Sequence, residues 1–294
     1  KNQNMPIVIK ADGLAAGKGV FIMKDKNEAC KLINDLFDAK INGIKTSLVI
    51  VEEFLKGEEA SFICLVSGDT VIPIASSKDH KKLCDADLGP NTGGMGAYSP
   101  TKLINTDMSE NVINKIILPT IKELKKININ YQGFLYAGLM IDKNKNAYVL
   151  EYNCRLGDPE AQAILMRLDS DIINMFLSTI NNQLDKLEIK WKKESACTIV
   201  LASEGYPGKY EKNNKINGLD YEVNDVKIFH SGTKLNDGSV VTNGGRVLAV
   251  TALGINLQIA QAKAYDRCSQ ISWDGKIKRN DIGNKEINNK FIFS

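Results

Sequence analysis

The sequence has few histidines, no closely paired cysteines and no long apolar run. The whole chain contains 2 histidines and 6 cysteines, and no two cysteines form the short pairs typical of zinc or redox sites. No apolar run approaches the roughly 20 residues needed to span a bilayer. These absences argue against a Cys/His metal centre and against a membrane-spanning protein. We expect reduced thiols and a cytoplasmic location.

Neither sign of charge dominates the chain. It carries 38 basic and 35 acidic residues, for a net charge of +3, and they are spread along its length without the basic stripe of a nucleic-acid binder. We therefore expect no nucleic-acid partner. At 294 residues and 43% hydrophobic, the chain can bury a substantial core, and its length favours two modules over one.

A strand that opens onto a glycine-rich loop stands near the start, in the segment PIVIKADGLAAGKGV. The strand ends at Lys10, and the loop carries Lys18. Its glycines allow backbone N–H groups to close on phosphate oxygens. The spacing is one residue short for a P-loop, and Gly19 stands where that motif has Ser or Thr. On the loop alone, an ordinary strand and turn remains the alternative.

A second acidic segment, LVIVEEFLKGEEAS at 48–61, is typical of a strand that turns into a hinge. Backbone groups near Phe54 and Leu55 could pair with an adenine edge, and Glu59 could reach a ribose hydroxyl. A solvated acidic loop explains this segment equally well when it is taken alone.

A third segment, YVLEYNCRLGDPEAQ at 148–162, suits a hard cation. Strand alternation places Glu151 and Asn153 on one face and Tyr152 on the other. Magnesium takes few protein ligands and completes its shell with water and phosphates, so these two oxygen donors are sufficient in kind. Arg155 is expected to follow on the same face, with a fixed fork of donors for a phosphoryl group. A surface strand with one salt bridge is the alternative.

Together these segments resemble the ATP-grasp superfamily and, within it, the phosphoribosylamine–glycine ligase (glycinamide ribonucleotide synthetase) family. The resemblance runs from Pro6 to about Gly283 and rests on collinear motifs. They are KADGLAAGKGV, EEFLKGEEASF, DHK, GPNTGGMGAYSP, GFLYAGLM, EYNCRLGDPEAQ and TNGGRVL. The resemblance implies an α+β fold in which two ATP-grasp lobes grip ATP, followed by a small β-rich C-terminal domain.

The resemblance also implies a reaction. Glycine would be joined to 5-phosphoribosylamine through a glycyl phosphate intermediate in purine biosynthesis, with ATP and Mg²⁺, or Mn²⁺, as cofactors. We expect small-molecule substrates, no membrane partner, and a monomer or homodimer. Two alternatives stay open: another ATP-grasp carboxylate–amine ligase, or a nucleotide-binding fragment that is inactive without an N-terminal domain. The family carries such an α/β domain ahead of the first matching strand, and we expect this chain to lack it.

The resemblance assigns roles residue by residue. Arg155 and Lys18 would act in catalysis, with Arg155 neutralising the acyl phosphate, and Glu151 and Asn153 would bind the metal. The residues expected at ATP are Lys10, Gly17, Lys18, Gly19, Glu52, Glu53, Phe54, Leu55 and Glu59. The residues expected at the substrates are Asp79, His80, Lys81, Gly93, Gly94, Met95, Arg155, Gly157 and Asp158.

Other residues have competing interpretations. His80 is either a catalytic base or a solvated loop histidine. Arg246 could point at the site from the last domain, but we favour a hairpin anchor. We expect His230 to be structural and Trp191 and Trp273 to pack. Asp142 is the one acidic residue near the end of GFLYAGLMID, and we do not assign it to the metal.

Three domains are expected: a lid lobe over 1–52, a large lobe with the metal and substrate site over 53–187, and the β-rich domain over 192–294. Further expectations concern local structure. Predicted strands cover 20–23, 48–51, 60–66 and 147–152; predicted helices lie near 27–39, 109–126, 159–168 and 257–269; and the pairs Asp237-Gly238 and Asn243-Gly244 are hairpin signals.

Overall fold

The computed structural model describes residues 4–12, 19–41, 44, 46–220 and 222–291. The chain divides into two compact units, Lys1–Lys56 and Gly57–Ser294. The three domain limits expected from the sequence stay predictions beside these units. Within the described ranges, no helix combines the length and the apolar character needed to cross a membrane.

The small unit is a three-stranded antiparallel sheet with one helix. Its elements are β1 (Ile7–Ala11), β2 (Val20–Met23), α1 (Lys26–Phe37) and β3 (Val49–Glu53). The strand order is β2-β1-β3, so the strand that precedes the glycine-rich segment lies in the centre. The predicted strand at 20–23 and the predicted helix near 27–39 are confirmed.

The core of the small unit follows from strand alternation. Ile7 and Ile9 of β1 are buried together with Ala29 and Leu36 of α1. Asp25 is the N-cap that precedes helix α1, and its side chain accepts hydrogen bonds from two backbone N–H groups of the first turn. The opposite face of the sheet exposes Val20, Ile22 and Ile50.

The large unit contains the remaining elements. They are β4 (Glu58–Ser67), β5 (Thr70–Pro73), β6 (Lys78–Asp79), β7 (Lys82–Cys84), β8 (Leu88–Asn91), β9 (Gly96–Ser99), α2 (Thr106–Val112), α3 (Leu118–Lys126), β10 (Gln132–Ile141), β11 (Ala147–Asn153), α4 (Glu160–Arg167), α5 (Ile172–Ile180), β12 (Ser195–Ser203), β13 (Val226–His230), β14 (Thr233–Asn236), β15 (Ser239–Thr242), β16 (Arg246–Gly254), α6 (Leu257–Ser269), β17 (Lys276–Ile277) and α7 (Asn284–Ile287).

A four-stranded antiparallel sheet, in the order β11-β10-β4-β5, forms one half of this unit. One face contributes apolar side chains to a core with α2 and α3. A π-helical turn over Ile113–Ile117 joins these two helices. It ends two residues before Pro119, which has no N–H to donate. The other face packs partly against α4 and α5, and this second face carries the polar residues of the candidate site.

A six-stranded sheet forms the other half, in the order β13-β16-β12-β9-β6 with β17 beside β12. Strands β6 and β9 precede the predicted boundary at 187–192 and the other strands follow it, so one sheet draws on both sides of that boundary. Helix α6 covers a core that includes Ile199, Val250 and Ala264. The predicted helix at 257–269 is confirmed by α6.

Only one of the two predicted hairpins forms. Asp237 and Gly238, both with positive φ, connect β14 and β15, as expected for a two-residue turn. The prediction for Asn243-Gly244 is wrong, because β15 pairs with β14 whereas β16 pairs with β12 and β13. A Cβ on Gly244 would lie 2.8 Å from Gly232 Cα, so the glycine serves a close approach of two backbones.

Candidate functional site

The outer face of the small unit carries the Lys10–Glu52 ion pair among exposed apolar side chains. Lys10 lies opposite Val20 on β2 and Ile50 on β3. Its Nζ is 2.7 Å from Glu52 Oε2. Val20, Ile22 and Ile50 are at least 40% exposed. Exposed apolar side chains beside a charged pair suit a ligand that is partly aromatic and partly charged.

The remaining residues expected at ATP divide into two groups. Gly17 and Lys18 lie outside the described residues. Gly19 is buried, and its carbonyl accepts a hydrogen bond from Ala11 N at 2.9 Å. In the link that follows β3, Phe54 and Leu55 are half-buried, whereas Glu53 at the strand end is exposed. Their roles at the nucleotide stay predictions.

In the large unit, the sheet register sets the polar face. Ser61 of β4, Gly138 of β10 and Glu151 of β11 lie side by side across three strands. A Cβ on Gly138 would stand 3.2 Å from Glu151 Cγ, so the glycine leaves room for that carboxylate above the sheet. Asn153 lies two residues further along the same strand, opposite Tyr136.

The predicted alternation along β11 is confirmed. Tyr152 points to the opposite face, where its hydroxyl is 2.7 Å from Thr120 Oγ1 of α3, while Glu151 approaches Lys81. The expectation that Arg155 continues this face is wrong, because β11 ends at Asn153. Arg155 lies in the following loop, exposed, with Nη1 donating to Leu156 O at 2.8 Å.

Lys81 is the cation at the centre of a cluster of carboxylates. Its Nζ lies 3.5 Å from Glu59 Oε2 and 3.8 Å from Glu151 Oε1. Burial alone would lower the pKa of Lys81, but the carboxylates of Asp79, Glu59, Glu151 and Glu160 raise it above its ordinary value. Lys81 therefore remains charged at neutral pH, and the negative groups around it outnumber it.

Glu160 is the residue of this cluster that the sequence reasoning missed. It begins α4, is 3% exposed, and its Oε1 accepts a hydrogen bond from Ser61 Oγ at 2.9 Å. Ser61 Oγ also lies 3.0 Å from Tyr136 OH. Burial, and then the Glu160 charge, raise the pKa of Asp79 to about 7. The signal was available, since this glutamate completes the GDPE sequence within the third motif.

His80 is not a solvated loop residue, so that interpretation is wrong. It is 6% exposed, and its Nε2 accepts a long hydrogen bond from Gly283 N at 3.4 Å. Burial and the nearby positive charges of Arg279 and Lys78 lower its pKa to about 3, so the ring is neutral and is a weak base. Its carbonyl accepts from the N–H of Met95, whose side chain is fully buried.

Arg246 reaches across to the expected substrate loops. Its Nη1 donates to Gly93 O at 2.8 Å and to Asp158 O at 2.9 Å, and its Nη2 donates to Asp158 Oδ2 at 2.8 Å. The favoured role as a hairpin anchor is wrong, since no hairpin forms there. A Cβ on Gly157, in the same loop as Asp158, would lie 2.5 Å from the Glu160 carboxylate.

The other open residues have structural roles. Trp191 and Trp273 pack against apolar clusters, which confirms the expectation. His230 ends β13, where its Nδ1 lies 3.0 Å from Thr233 Oγ1. Asp142 caps a local turn, with Oδ1 accepting from two backbone N–H groups, and these bonds lower its pKa. All six cysteines are free, as expected.

The donor set fits a hard divalent cation. Among the described residues, no three His, Cys, Asp or Glu side chains are placed to hold a metal ion together. Glu151 and Asn153 still offer two oxygen donors on one strand, and magnesium is commonly held by one or two carboxylates together with substrate phosphates.

Two family descriptions match the chain. "Phosphoribosylglycinamide synthetase, ATP-grasp (A) domain" matches residues 1–161, and "Phosphoribosylglycinamide synthetase, C domain" matches residues 196–285. The first match covers the small unit and the strands of the candidate site, and the second covers β12 to β17. The α+β, ATP-grasp fold class expected from the sequence is confirmed.

Individual relatives agree with these matches. The phosphoribosylamine–glycine ligase of Vibrio parahaemolyticus is 49% identical over 288 residues, which are 98% of this chain and 67% of that protein. The crystal structure of the Thermotoga maritima phosphoribosylamine–glycine ligase superposes with a TM-score of 0.86 at 38% identity, covering 94% of this chain and 68% of the other. A Campylobacter jejuni biotin carboxylase, at 16% identity and a TM-score of 0.69 over 98% of this chain and 64% of the other, shares the fold alone.

Proposed function

Because the chain belongs to the phosphoribosylamine–glycine ligase family, we propose that it is an ATP-dependent carbon–nitrogen ligase that joins glycine to 5-phosphoribosylamine. The products would be glycinamide ribonucleotide, ADP and phosphate, as a step of purine biosynthesis. The observation that carries this proposal is the 49% identity over 98% of the chain. That identity favours this reaction over another carboxylate–amine ligation and over a fragment without turnover.

The reaction requires activation of a poor electrophile. Transfer of the γ-phosphoryl group of ATP to the glycine carboxylate makes an acyl phosphate, and the amine of phosphoribosylamine then displaces phosphate. Charge spreads over the transferred oxygens during such a step, so catalysis depends on positioning and on fixed cations. We assign Arg155 to this task, because this exposed residue lies just beyond β11, which carries Glu151 and Asn153.

We assign Glu151 and Asn153 to Mg²⁺, with Mn²⁺ as an alternative ion. When bound, the ion would neutralise phosphate oxygens of ATP. Both side chains stand on the polar face of the sheet. The negative charge gathered around Lys81 supports this assignment, since a cation is needed to balance it.

The carboxylates near Lys81 suit the amino group of a substrate. Asp79 takes up a proton more readily than an ordinary aspartate, because desolvation and the neighbouring Glu160 charge raise its pKa. A substrate ammonium would remove the repulsion between these two groups. We therefore assign Asp79, Glu160 and Lys81 to substrate binding, and we add Glu160 to the residues expected from the sequence.

The small unit supplies nucleotide contacts in this proposal. We assign Lys10 to the ATP phosphates and the apolar face around Val20 and Ile50 to the adenine ring. Lys18 keeps its proposed role at the phosphates. Glu59 keeps its proposed role at the ribose. Its contact with Lys81 would also allow a role in substrate binding.

The broader setting remains part of the proposal. We expect a monomer or homodimer that acts on small molecules without nucleic acid or membrane. Six free thiols suit a reducing compartment, so the cytoplasmic location stays our prediction.

The direct test incubates the protein with Mg²⁺, ATP, glycine and freshly made phosphoribosylamine and measures ADP release. We expect release only when all components are present, and we expect glycinamide ribonucleotide in equal amount by mass spectrometry. ADP release that depends on a different acid or amine would overturn the proposal. Nucleotide binding without any turnover would support the fragment alternative instead.

A further inference from the structure

Arg246 joins two loops that contain residues expected at the substrates, the turn at Gly93-Gly94 and the loop at Asp158. It follows both loops in the sequence by 88 or more positions. Arg246 Nη1 donates to the carbonyls of Gly93 and Asp158, at 2.8 and 2.9 Å, and lies 3.4 Å from Gly94 O. Its Nη2 forms the ion pair with Asp158 Oδ2 at 2.8 Å. One guanidinium therefore bridges both loops.

A second side chain from the C-terminal part of the chain, Tyr206, also binds the Gly93-Gly94 turn. Tyr206 OH accepts a hydrogen bond from Gly93 N at 2.9 Å. A Cβ on Gly245 would lie 2.2 Å from the Tyr206 ring, so this glycine lets the ring lie directly on the backbone beside Arg246. Both backbone polar groups of Gly93 are thereby bonded to residues that follow β12.

The glycines show that the loops fit closely. A Cβ on Gly93 would be 3.0 Å from the Arg246 guanidinium carbon, and one on Gly94 would be 2.4 Å from Pro159 Cδ. Gly94 also has a φ of +115°, a conformation that favours glycine. The turn at Gly93-Gly94 therefore stacks on the Asp158-Pro159 loop and cannot shift without breaking the bonds to Arg246.

The Asp158 carboxylate is already used by the protein. Oδ2 is paired with Arg246, and Oδ1 accepts from Gln162 Nε2 at 3.2 Å. An aspartate bonded at both oxygens is better suited to fixing a loop than to binding a ligand. The use of both oxygens distinguishes Asp158 from Asp79, which lies near Lys81 and Glu160.

We propose that Arg246, supported by Tyr206, is a positioning residue that fixes the Gly93-Gly94 turn and the Asp158 loop in the shape that the two non-nucleotide substrates require. The inference rests on the proposed function for its substrates. The planar fork of arginine is essential to it, since a lysine ammonium cannot donate to the same spread of acceptors.

The test uses the full chain in three variants. Arg246→Gln removes the charge and most donors, Arg246→Lys keeps the charge, and Lys263→Gln is the matched control. Lys263 forms an exposed ion pair with Asp225 at 2.9 Å, and the pair lies in the same C-terminal part of the chain. Steady-state kinetics are measured for each of the three substrates, and hydrogen–deuterium exchange is followed by mass spectrometry.

We expect both Arg246 variants to raise the KM for glycine or for phosphoribosylamine about tenfold or more, with the KM for ATP changed less than about twofold. Exchange should rise together in 89–95 and 156–159, while segments of β4 and β10 stay protected. The control should match the unmodified protein. Recovery of normal kinetics in Arg246→Lys, or an equal rise in the KM for ATP, would overturn the inference.

The exchange measurement separates the two proposals. If the unmodified protein does not turn over glycine and phosphoribosylamine, the proposed function fails, but the coupling of the two loops is still tested. If that protein is active and exchange in Arg246→Gln rises only near 243–247, this inference fails alone. Tyr206→Phe supplies a milder check, with faster exchange expected at Gly93 and a smaller kinetic effect.

Discussion

Two lysines, one in each compact unit, stand in opposite electrostatic surroundings. Lys10 in the small unit pairs with the Glu52 carboxylate at 2.7 Å and has apolar neighbours on the same sheet face. Lys81 in the large unit lies among several carboxylates, including Glu59 and Glu151. The two lysines therefore differ in how many carboxylates the described residues place around them. The cluster around Lys81 suits a further cation, such as a metal ion or a substrate ammonium.

The largest expected effect separates turnover from nucleotide binding. Arg155→Ala should lower kcat by about 10³-fold, because the charge it neutralises exists mainly in the transition state. Binding of ATP, which we assign mainly to the small unit, should change little. Single-turnover kinetics and equilibrium nucleotide binding measure the two quantities. An equal loss in both would contradict the role given to Arg155.

Removal of the central lysine should expose the charge imbalance. Lys81→Met leaves the surrounding carboxylates without their cation, and we expect the free energy of unfolding to fall by about 2–3 kcal/mol. Urea denaturation measures this, with Lys125→Met as the matched control. Lys125 and Asp69 form an exposed pair at 2.6 Å, so that control should lose less than about 1 kcal/mol. Equal losses would mean that the cluster is no more sensitive than the surface.

The pH dependence of stability tests the same imbalance at Asp79. Its pKa is raised to about 7 in the folded protein, so the folded state holds a proton that the unfolded state releases above about pH 4. Stability should therefore fall as pH rises from about 4 to 7. Asp79→Asn should remove this fall and be more stable than the unmodified protein by roughly 2 kcal/mol at pH 8.

The control for this pH prediction is Asp69→Asn, an exposed change of the same kind. His80 acts in the opposite sense: its lowered pKa makes stability fall as pH decreases from about 6.5 toward 3. That contribution should persist in Asp79→Asn and disappear in His80→Gln. A pH profile of Asp79→Asn that matches the unmodified protein would refute the excess charge at this site.

The smallest stability effect is expected at the Lys10–Glu52 pair. Glu52→Gln should change the free energy of unfolding by less than about 1 kcal/mol, because the carboxylate is 37% exposed and exposed ion pairs contribute little. The KM for ATP should rise, while the KM values for the other substrates should not. Differential scanning fluorimetry and steady-state kinetics check these results. A stability loss as large as that of Lys81→Met would remove the contrast between the two lysines.

Much of the local structure could be predicted from the sequence. The opposed faces of Glu151 and Tyr152 follow from strand alternation, which acts within a few residues. Strand β2 consists of residues with high β-propensity, and α6 is rich in helix-forming residues after its N-cap Asn256. The Asp237-Gly238 turn follows from the positive φ that its residues tolerate. The same local rule predicts a hairpin at Asn243-Gly244 between β15 and β16. That hairpin does not form, because β16 pairs with β12 and β13 instead.

The sequence predicted those site residues that lie within the motifs. It did not predict contacts between residues that are far apart in the chain. Glu160 joins the cluster only because α4 begins against β4, and Ser61 lies 99 positions earlier. The buried His80 ring accepts a hydrogen bond from the backbone of Gly283, 203 positions later. No local sequence pattern encodes such long-range contacts, because they result from the packing of complete helices and strands.

By itself, the sequence determined the chemical inventory: the phosphate-seeking lysines and glycines, the oxygen donors of β11, and the family to which the chain belongs. The tertiary structure alone decided which charges oppose one another. It gathered several carboxylates around Lys81, made His80 neutral, and turned Arg246 from a supposed hairpin anchor into a bridge between two loops. The physical reason is that residue type fixes what a group can do, whereas burial and long-range contacts fix its charge and its partners.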